Sequence, residues 1–167
     1  MSLALHDISA PLFLRGLNNL SGLVDKAIQS GLDEAALMDA RLAPDMKPFP
    51  DQIRMAAFSA RSCIGRLTSQ PWPKTDDAEA TLTDLKETIA LSIAFIEATD
   101  AAAFEGGETR RVELRFPGVE LNFERAGYLT SFALPNFYFH VSMAYAVLRH
   151  AGIKLGKPDY LGQLALI

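Results

Sequence analysis

Apolar residues return every three or four positions along three long segments, the spacing of an amphipathic helix. The predicted inner positions are Phe13, Leu17, Leu20, Val24 and Ile28 along residues 8–30, Ile53, Ala56, Ala57, Ala60, Ile64 and Leu67 from Pro50 onward, and Leu82, Leu85, Ile89, Ile93 and Ile96 along residues 79–98. Arg54, Arg61 and Arg66 fall outside the second stripe, so we expect them to face the solvent. Three such helices indicate a helical bundle.

Residues that favour helix ends delimit these segments. Asp7 suits the N-cap of the first helix, and Gly31 suits its end. Residues 33–41 are typical of a short helical insert. Pro50 suits the first turn of the next long helix, because its missing N–H needs no partner there.

Alternation of apolar and polar residues replaces the helical spacing along residues 112–123, on both sides of Pro117 and Gly118. This pattern predicts a small antiparallel hairpin that lies as a lid on the helices. Folding it at that point pairs, on one face, Phe116 with Val119, Leu114 with Leu121 and Val112 with Phe123. Because proline cannot supply the positive φ of a primed two-residue turn, we expect a wider loop.

A long segment without formal charge, residues 126–148, follows the hairpin. Its length could span a bilayer, but Pro135 interrupts it and polar residues are scattered through it. A buried central helix over about residues 125–151 explains the pattern better. Pro135 either kinks this helix or begins a new one after a short first helix. Gly152 ends it, and a tail with several glycines follows.

Composition and charge restrict the functional classes. The 167 residues, of which 49% are hydrophobic and 22% charged, fit one helical-bundle domain over residues 1–167. A net charge of −4 gives no basic surface for nucleic acid or anionic lipid. The single cysteine, Cys63, cannot form an intrachain disulfide, and we expect a structural thiol. Since the N-terminal residues lack a signal-peptide pattern, we expect a cytoplasmic protein without nucleic-acid or membrane partners.

His140 is the strongest candidate for chemistry, because familiar catalytic motifs are missing. The chain has no GxGxxG, P-loop, GxSxG or HExxH, and no Glu stands three residues before a histidine, as a di-iron bundle requires. Asn136 lies one helical turn before His140, so both side chains can address one point. They could ligate a metal through an imidazole and an amide oxygen. The interpretation that we favour is a buried, hydrogen-bonded Asn–His pair that fixes the register of the helix.

Four segments resemble an uncharacterised bacterial family that is classed as a domain of unknown function. They are LAPDM at 42–46, FALPNFYFH at 132–140, LRHAG at 148–152 and LGKPDYLG at 155–162. The likeness covers essentially the whole chain, and the family is similar to the DinB/YfiT-like metalloenzyme superfamily. This resemblance implies an all-α four-helix bundle of up-down-down-up order, often dimeric. The β-hairpin predicted from the alternation is inserted before the last helix of this bundle.

The superfamily resemblance also implies a divalent metal, nickel or zinc, held by three histidines. One comes from the second helix and two from an HxxxH pair on the last. Counting back from LRHAG places His140 at the second position of that pair and Asn136 at the first. The second-helix ligand falls near residues 53–60, where there is no histidine, so the candidates are Gln52, Ser59 or nothing. An imidazole and an amide make a poor zinc site, so we expect no tightly bound cofactor, with a divalent metal at His140 and Asn136 as the alternative.

Two functions are therefore open. The first is a non-catalytic bundle that binds a small molecule or stabilises a dimer, with Asn136 and His140 as a polar feature of its core. The alternative is a DinB-like metal-dependent transferase or hydrolase that uses His140 as a metal ligand; the sequence names no catalytic residue, substrate or reaction. Because the helix from Pro135 to Leu148 is apolar nearly all round, we also expect a homodimer that buries part of this helix or the hairpin.

Overall fold

The computed structural model describes residues 4–106 and 110–164, and the fold is mostly helical. Its elements are α1 (Ala10–Gln29), α2 (Glu34–Asp39), α3 (Phe49–Thr68), α4 (Leu82–Glu97), a 3-10 turn (Ala101–Phe104), β1 (Arg111–Phe116), β2 (Val119–Glu124), α5 (Arg125–Tyr128), a π-helical turn (Leu129–Ala133), α6 (Leu134–His150) and α7 (Lys157–Leu161). The helices predicted from the apolar spacing and the short insert are all present, with ends within three residues of the predicted ones.

The four long helices α1, α3, α4 and α6 share one apolar core. Both α1 and α3 contact α4 and α6. The predicted inner positions fill the core, apart from Ile93, which is half-buried, and Ile28, which is 46% exposed. Each fully buried Leu, Ile or Phe contributes about 1.5–3 kcal/mol, so this packing supplies most of the stabilisation.

Helix ends follow capping chemistry, with one difference from the prediction. Ser9, not Asp7, is the N-cap of α1, and its hydroxyl donates to the carbonyl of Leu5 instead of capping the helix. A capping box begins α4, in which Thr81 and Asp84 each accept a hydrogen bond from the other's backbone N–H. Gly31 ends the first helical segment with φ of 70°.

The prediction that all three arginines of α3 face the solvent is wrong for Arg61, which is only 2% exposed. The connection from α3 to α4, residues 69–81, folds back over this side of α3. Trp72 packs so closely on Gly65 that a Cβ there would lie 2.4 Å from the indole ring. Arg61 donates to the carbonyl of Pro73 over 3.0 Å, so the connection covers the face that the helical pattern assigns to water.

The hairpin has the predicted register, with Phe116 opposite Val119 and each inner pair as expected. Its turn is tighter than predicted, because only Pro117 and Gly118 connect the strands. Gly118 takes φ of 77°, so a proline precedes the glycine that supplies the positive φ, as in a type II turn. Val112 and Leu114 at the base are buried in the core, whereas Phe116 and Val119 at the tip are about half exposed.

The last long helix runs from α5 through the π-helical turn into α6. Pro135 is the second residue of α6, directly after the wider turn. A proline in an ordinary helix lacks one hydrogen bond and presses on the preceding turn, and a π-helical turn is one way in which a helix accommodates this. Within the described ranges no helix is long and apolar enough to cross a membrane.

The tail forms the short helix α7, which the sequence pattern does not predict. Asn19 donates to the carbonyl of Tyr160 over 2.7 Å, and Lys26 pairs with Asp159 at 2.6 Å, which fixes the tail on α1. The Tyr160 ring also packs edge-on against Tyr145, with centroids 5.8 Å apart. The tail therefore covers part of the apolar surface of α6, while Phe139 is still 52% exposed.

Candidate functional site

Asn136 and His140 lie on the side of α6 that faces α3. His140 is 9% exposed, and Asn136 is half-buried. The π-helical turn ends three residues before Asn136. The two residues are one helical turn apart and share a face of α6, as the sequence predicts.

The two side chains do not bond to each other, so the predicted Asn–His pair is wrong. Asn136 Nδ2 donates to Ser59 Oγ over 2.6 Å. His140 Nδ1 and Gln52 Oε1 are 2.9 Å apart. Neighbours on one helix face point in parallel, whereas side chains of the facing helix point toward them, so the bonds form between helices.

These four residues, Gln52, Ser59, Asn136 and His140, are called the α3–α6 polar cluster below. Its two bonds run in antiparallel order, since the later residue of α6 meets the earlier residue of α3. A shift of α6 along α3 would break both bonds and leave buried polar atoms without partners. The cluster therefore fixes the register between the two helices, the role that the sequence analysis assigned to a pair within one helix.

The orientation of Gln52 decides the proton position on His140. Gln52 Nε2 donates to the carbonyl of Lys47 over 2.9 Å, so Oε1 is the atom that faces His140. An amide oxygen only accepts, and His140 Nδ1 must therefore carry the hydrogen. Burial lowers the pKa of His140 below its ordinary value, so the ring is neutral at pH 7. Nε2 is left with a lone pair and makes no hydrogen bond to a residue that the structure describes.

Asn136 offers a second acceptor in the same way. Its Nδ2 is used by Ser59, and its Oδ1 has no partner among residues 4–106 and 110–164. Side chains that bind α3 through their donor atoms thus keep their acceptor atoms available. The cluster is electrically neutral and presents two acceptors from consecutive turns of α6.

The donors of the cluster fit a three-histidine nickel or zinc centre poorly. Gln52 and Ser59, the two candidates for the missing ligand of the second helix, are the residues that contact His140 and Asn136. They supply an amide oxygen that is already bonded and a hydroxyl, where a tight site needs further imidazole, thiolate or carboxylate donors. In the described part of the chain, no three His, Cys, Asp or Glu side chains come together as metal ligands would.

Cys63, the only thiol, has the environment of a structural residue. It is fully buried in α3, and burial raises the pKa of its thiol above the ordinary range. Burial also raises the pKa of the neighbouring Tyr128 hydroxyl to about 12. Neither group ionises near neutral pH, so neither is a nucleophile in the folded protein.

Comparison with protein families identifies the fold and the family together. A family model described as a domain of unknown function, DUF1993, matches residues 5–161. The chain belongs to the DUF1993 family. No curated protein matches this DUF1993 chain. The resemblance that the four sequence segments suggested is thereby confirmed.

A solved structure extends the likeness of the DUF1993 chain to the DinB family. It is the crystal structure of a DinB family member from Shewanella denitrificans, 32% identical, with a TM-score of 0.86 over 98% of this chain and 94% of that one. The similarity therefore spans the complete arrangement of helices and hairpin. It supports a DinB-like fold and names no ligand, metal or reaction.

Proposed function

We propose that this DUF1993 protein is a non-catalytic binding protein that holds a small hydrogen-bond donor at the α3–α6 polar cluster. One observation carries the proposal. His140 Nε2 and Asn136 Oδ1 are oriented by the bonds of their opposite atoms to α3, and neither has a partner of its own among the described residues. Binding a ligand there needs little further ordering of side chains.

The chemistry of the cluster selects the kind of ligand. A neutral imidazole nitrogen and an amide oxygen both accept hydrogen bonds, and the cluster contains no cation. A small ammonium or hydroxyl compound satisfies both acceptors, whereas a carboxylate meets only lone pairs. The surrounding scaffold is, in this proposal, a four-helix bundle of the up-down-down-up order implied by the DinB resemblance.

Titration with methylammonium, followed by NMR of the histidine side chains, tests the proposal. Tetramethylammonium carries the same charge without an N–H donor and is the matched control. We expect saturable shifts of the His140 ring with methylammonium alone, and their loss in Asn136→Leu. His6 and His150, the two other histidines, lie outside the cluster and are internal controls. Equal responses to both cations, or none at His140, would contradict hydrogen-bond recognition at this cluster.

The alternative function, a DinB-like metal-dependent transferase or hydrolase, needs His140 as a metal ligand. The observation that supports it is the free lone pair of His140 Nε2. Gln52 Oε1 accepts the hydrogen of Nδ1, so Nε2 is the nitrogen that could bind a metal. Elemental analysis of protein purified without a histidine tag distinguishes the two functions. We expect no near-stoichiometric nickel or zinc; metal that is present in the wild type and lost in His140→Ala would establish the alternative.

We also propose a cytoplasmic homodimer, which buries exposed aromatic surface near the last helix. Phe116 and Val119 at the hairpin tip and Phe139 on α6 are each about half exposed. Phe116 lies 6.5 Å from the ring of Phe132, one side of which is covered by the hairpin. Light scattering at micromolar concentration measures the outcome, and a mass near 18.2 kDa instead of twice that value would show a monomer.

A further inference from the structure

A cleft of about 430 Å³ opens between α3 and the connection from α3 to α4. Its surface is mostly apolar. Met55 and Phe58 of α3 are 37% and 46% exposed there, and Trp72 of the connection also lines it. Arg61, which also lines the cleft, follows Ser59 by two residues, or about 200° around the helix. The cleft is therefore on the other side of α3 from the α3–α6 polar cluster and is independent of the function proposed there.

Arg61 lines this cleft although the residue is only 2% exposed. Three of its five N–H groups are used: Nε donates to Pro73 O over 3.0 Å, Nη1 to Ser92 Oγ over 3.2 Å and Nη2 to Thr75 Oγ1 over 2.9 Å. One N–H on each Nη atom makes no hydrogen bond within the described part of the chain. Two N–H groups of the side chain are therefore available to a ligand.

The charge of Arg61 is also without a close counter-ion. In residues 4–106 and 110–164 no carboxylate lies within 4 Å of it. Asp77 and Glu79 attract it at longer range. Glu79 is bonded by Arg54 at 2.6 Å and by Thr88, and Asp77 accepts from Thr75. Neither carboxylate bonds to Arg61 directly, although Asp77 is an exposed lining residue of the cleft.

Tethering the connection does not explain why this residue is charged. The three partners of Arg61 are a carbonyl and two hydroxyls, which a neutral donor would satisfy as well. A buried cation without an ion pair costs free energy, so its retention points to an anion that completes the site. Lys74, an exposed lining residue, has no ion pair among the described residues and adds positive charge at the cleft. Arg54 also lines the cleft, but its charge is paired with Asp51 and Glu79.

We propose that this cleft binds a small aromatic carboxylic acid. The carboxylate accepts the two remaining N–H groups of Arg61, whose flat fork matches a carboxylate in geometry and charge. The aromatic ring lies against Phe58 and Trp72, which supply the apolar surface. Phe58 also stacks near the Arg61 guanidinium, 5.7 Å from the ring centroid, so the ring and the cation are held together before the ligand arrives.

Trp72 makes the proposal directly measurable, because it is the only tryptophan of the chain. Titration with benzoate is expected to change its fluorescence in a saturable way. Benzamide has the same ring and shape without the charge, and we expect it to bind about tenfold more weakly. The Nε–H resonance of Arg61 is expected to shift with benzoate and not with benzamide, which tests the arginine without replacing it.

Two variants of exposed residues locate the site without disturbing the core. We expect benzoate to bind about fivefold more weakly to Phe58→Ala, through loss of an aromatic contact, and about twofold more weakly to Lys74→Gln, through loss of an exposed charge. Ile28→Ala, an apolar residue of α1 with the same exposure as Phe58 and outside the cleft, is the matched control and is expected to bind like the wild type. No saturable change with benzoate, equal binding of benzamide, or no effect of Phe58→Ala would overturn the proposal.

Discussion

Helix α3 carries buried polar groups on two sides, and the two sides satisfy them in opposite ways. Toward α6, Gln52 and Ser59 meet His140 and Asn136, so neutral groups bond to neutral groups. Toward the α3–α4 connection, Arg61 bonds to a carbonyl and two hydroxyls, and no carboxylate of the described residues lies within 4 Å of it. The first side is therefore electrically neutral, whereas the second holds a positive charge that only neutral groups bond among the described residues.

The two sides differ in the hydrogen-bonding atoms that their buried polar groups leave unused. Neutral pairs between two helices fix their register and leave unused acceptor atoms. A cation held by neutral partners fixes the connection and leaves both positive charge and unused donors. The two sides of α3 are therefore expected to attract ligands of opposite character, one that donates hydrogen bonds and one that carries negative charge.

The largest effect is expected on the cationic side, from Arg61→Ala. The substitution removes three hydrogen bonds that a charged group makes, each worth about 1.5–3 kcal/mol, so we expect the free energy of unfolding to fall by about 3 kcal/mol or more. Urea denaturation measures it. Arg15→Ala, an exposed arginine of α1, is the control and is expected to change stability by less than about 0.5 kcal/mol. Similar values for both variants would show that the connection does not depend on Arg61.

The next largest effect tests whether Gln52 and His140 stabilise the protein as a hydrogen-bonded pair. Gln52→Leu and His140→Leu each leave one buried polar partner unsatisfied, and we expect each to cost about 1–3 kcal/mol. The double variant removes both partners and is expected to cost about 1 kcal/mol less than the sum. Additive losses in urea denaturation would mean that the bond between Gln52 and His140 does not contribute.

Acidification distinguishes the two sides, because His140 takes up a proton on acidification whereas Arg61 is already charged throughout this range. Burial holds its folded pKa below the ordinary value of 6.5, so the unfolded chain binds the proton more readily. Stability contributed by the neutral ring is complete above pH 6.5 and decreases as the pH falls from there toward the folded pKa. Unfolding measured between pH 7.5 and 5 should show this decrease in the wild type and a smaller one in His140→Gln; equal profiles would contradict it.

The smallest effect is expected at the half-exposed end of the neutral side. Ser59→Ala removes the acceptor of Asn136, but a half-buried amide can bond to water instead. We expect a loss of about 0.5–1 kcal/mol by thermal or urea unfolding. Ser131→Ala, an exposed serine of the π-helical turn, is a suitable comparison. A loss as large as that of His140→Leu would mean that the Asn136–Ser59 bond contributes as much stability as the His140–Gln52 bond.

Local periodicity was sufficient for the helices and the hairpin, because each rests on contacts between residues close in sequence. Pairing of Phe116 with Val119 follows from alternation about Pro117 and Gly118, whatever the turn. The turn itself was not predicted, since only primed turns were considered and a proline cannot enter their first position. Gly118 alone takes the positive φ that the observed turn needs.

The hydrogen-bond partners of Asn136 and His140 could not be predicted from the pattern of a single helix, because they lie on another helix. Asn136 and His140 bond to residues 77 and 88 positions away, and only their placement across the helix interface decides between these partners and each other. The resemblance to the superfamily did name Gln52 and Ser59 as candidates for that place. Arg61 was misplaced for a related reason: a helix stripe shows which face meets the core, and not whether a connecting segment covers the opposite one.

The π-helical turn accommodates one extra residue in the last long helix, before Asn136 and His140. Such a turn holds one residue more than an α-helical turn, and each residue of an α-helix advances the direction of its side chain by about 100°. Removal of one residue from Leu129–Ala133 would convert it into an ordinary α-helical turn, so Asn136 and His140 would keep facing α3. The same deletion inside α6, between Asn136 and His140, would instead turn one of the two side chains away from α3 by about 100°.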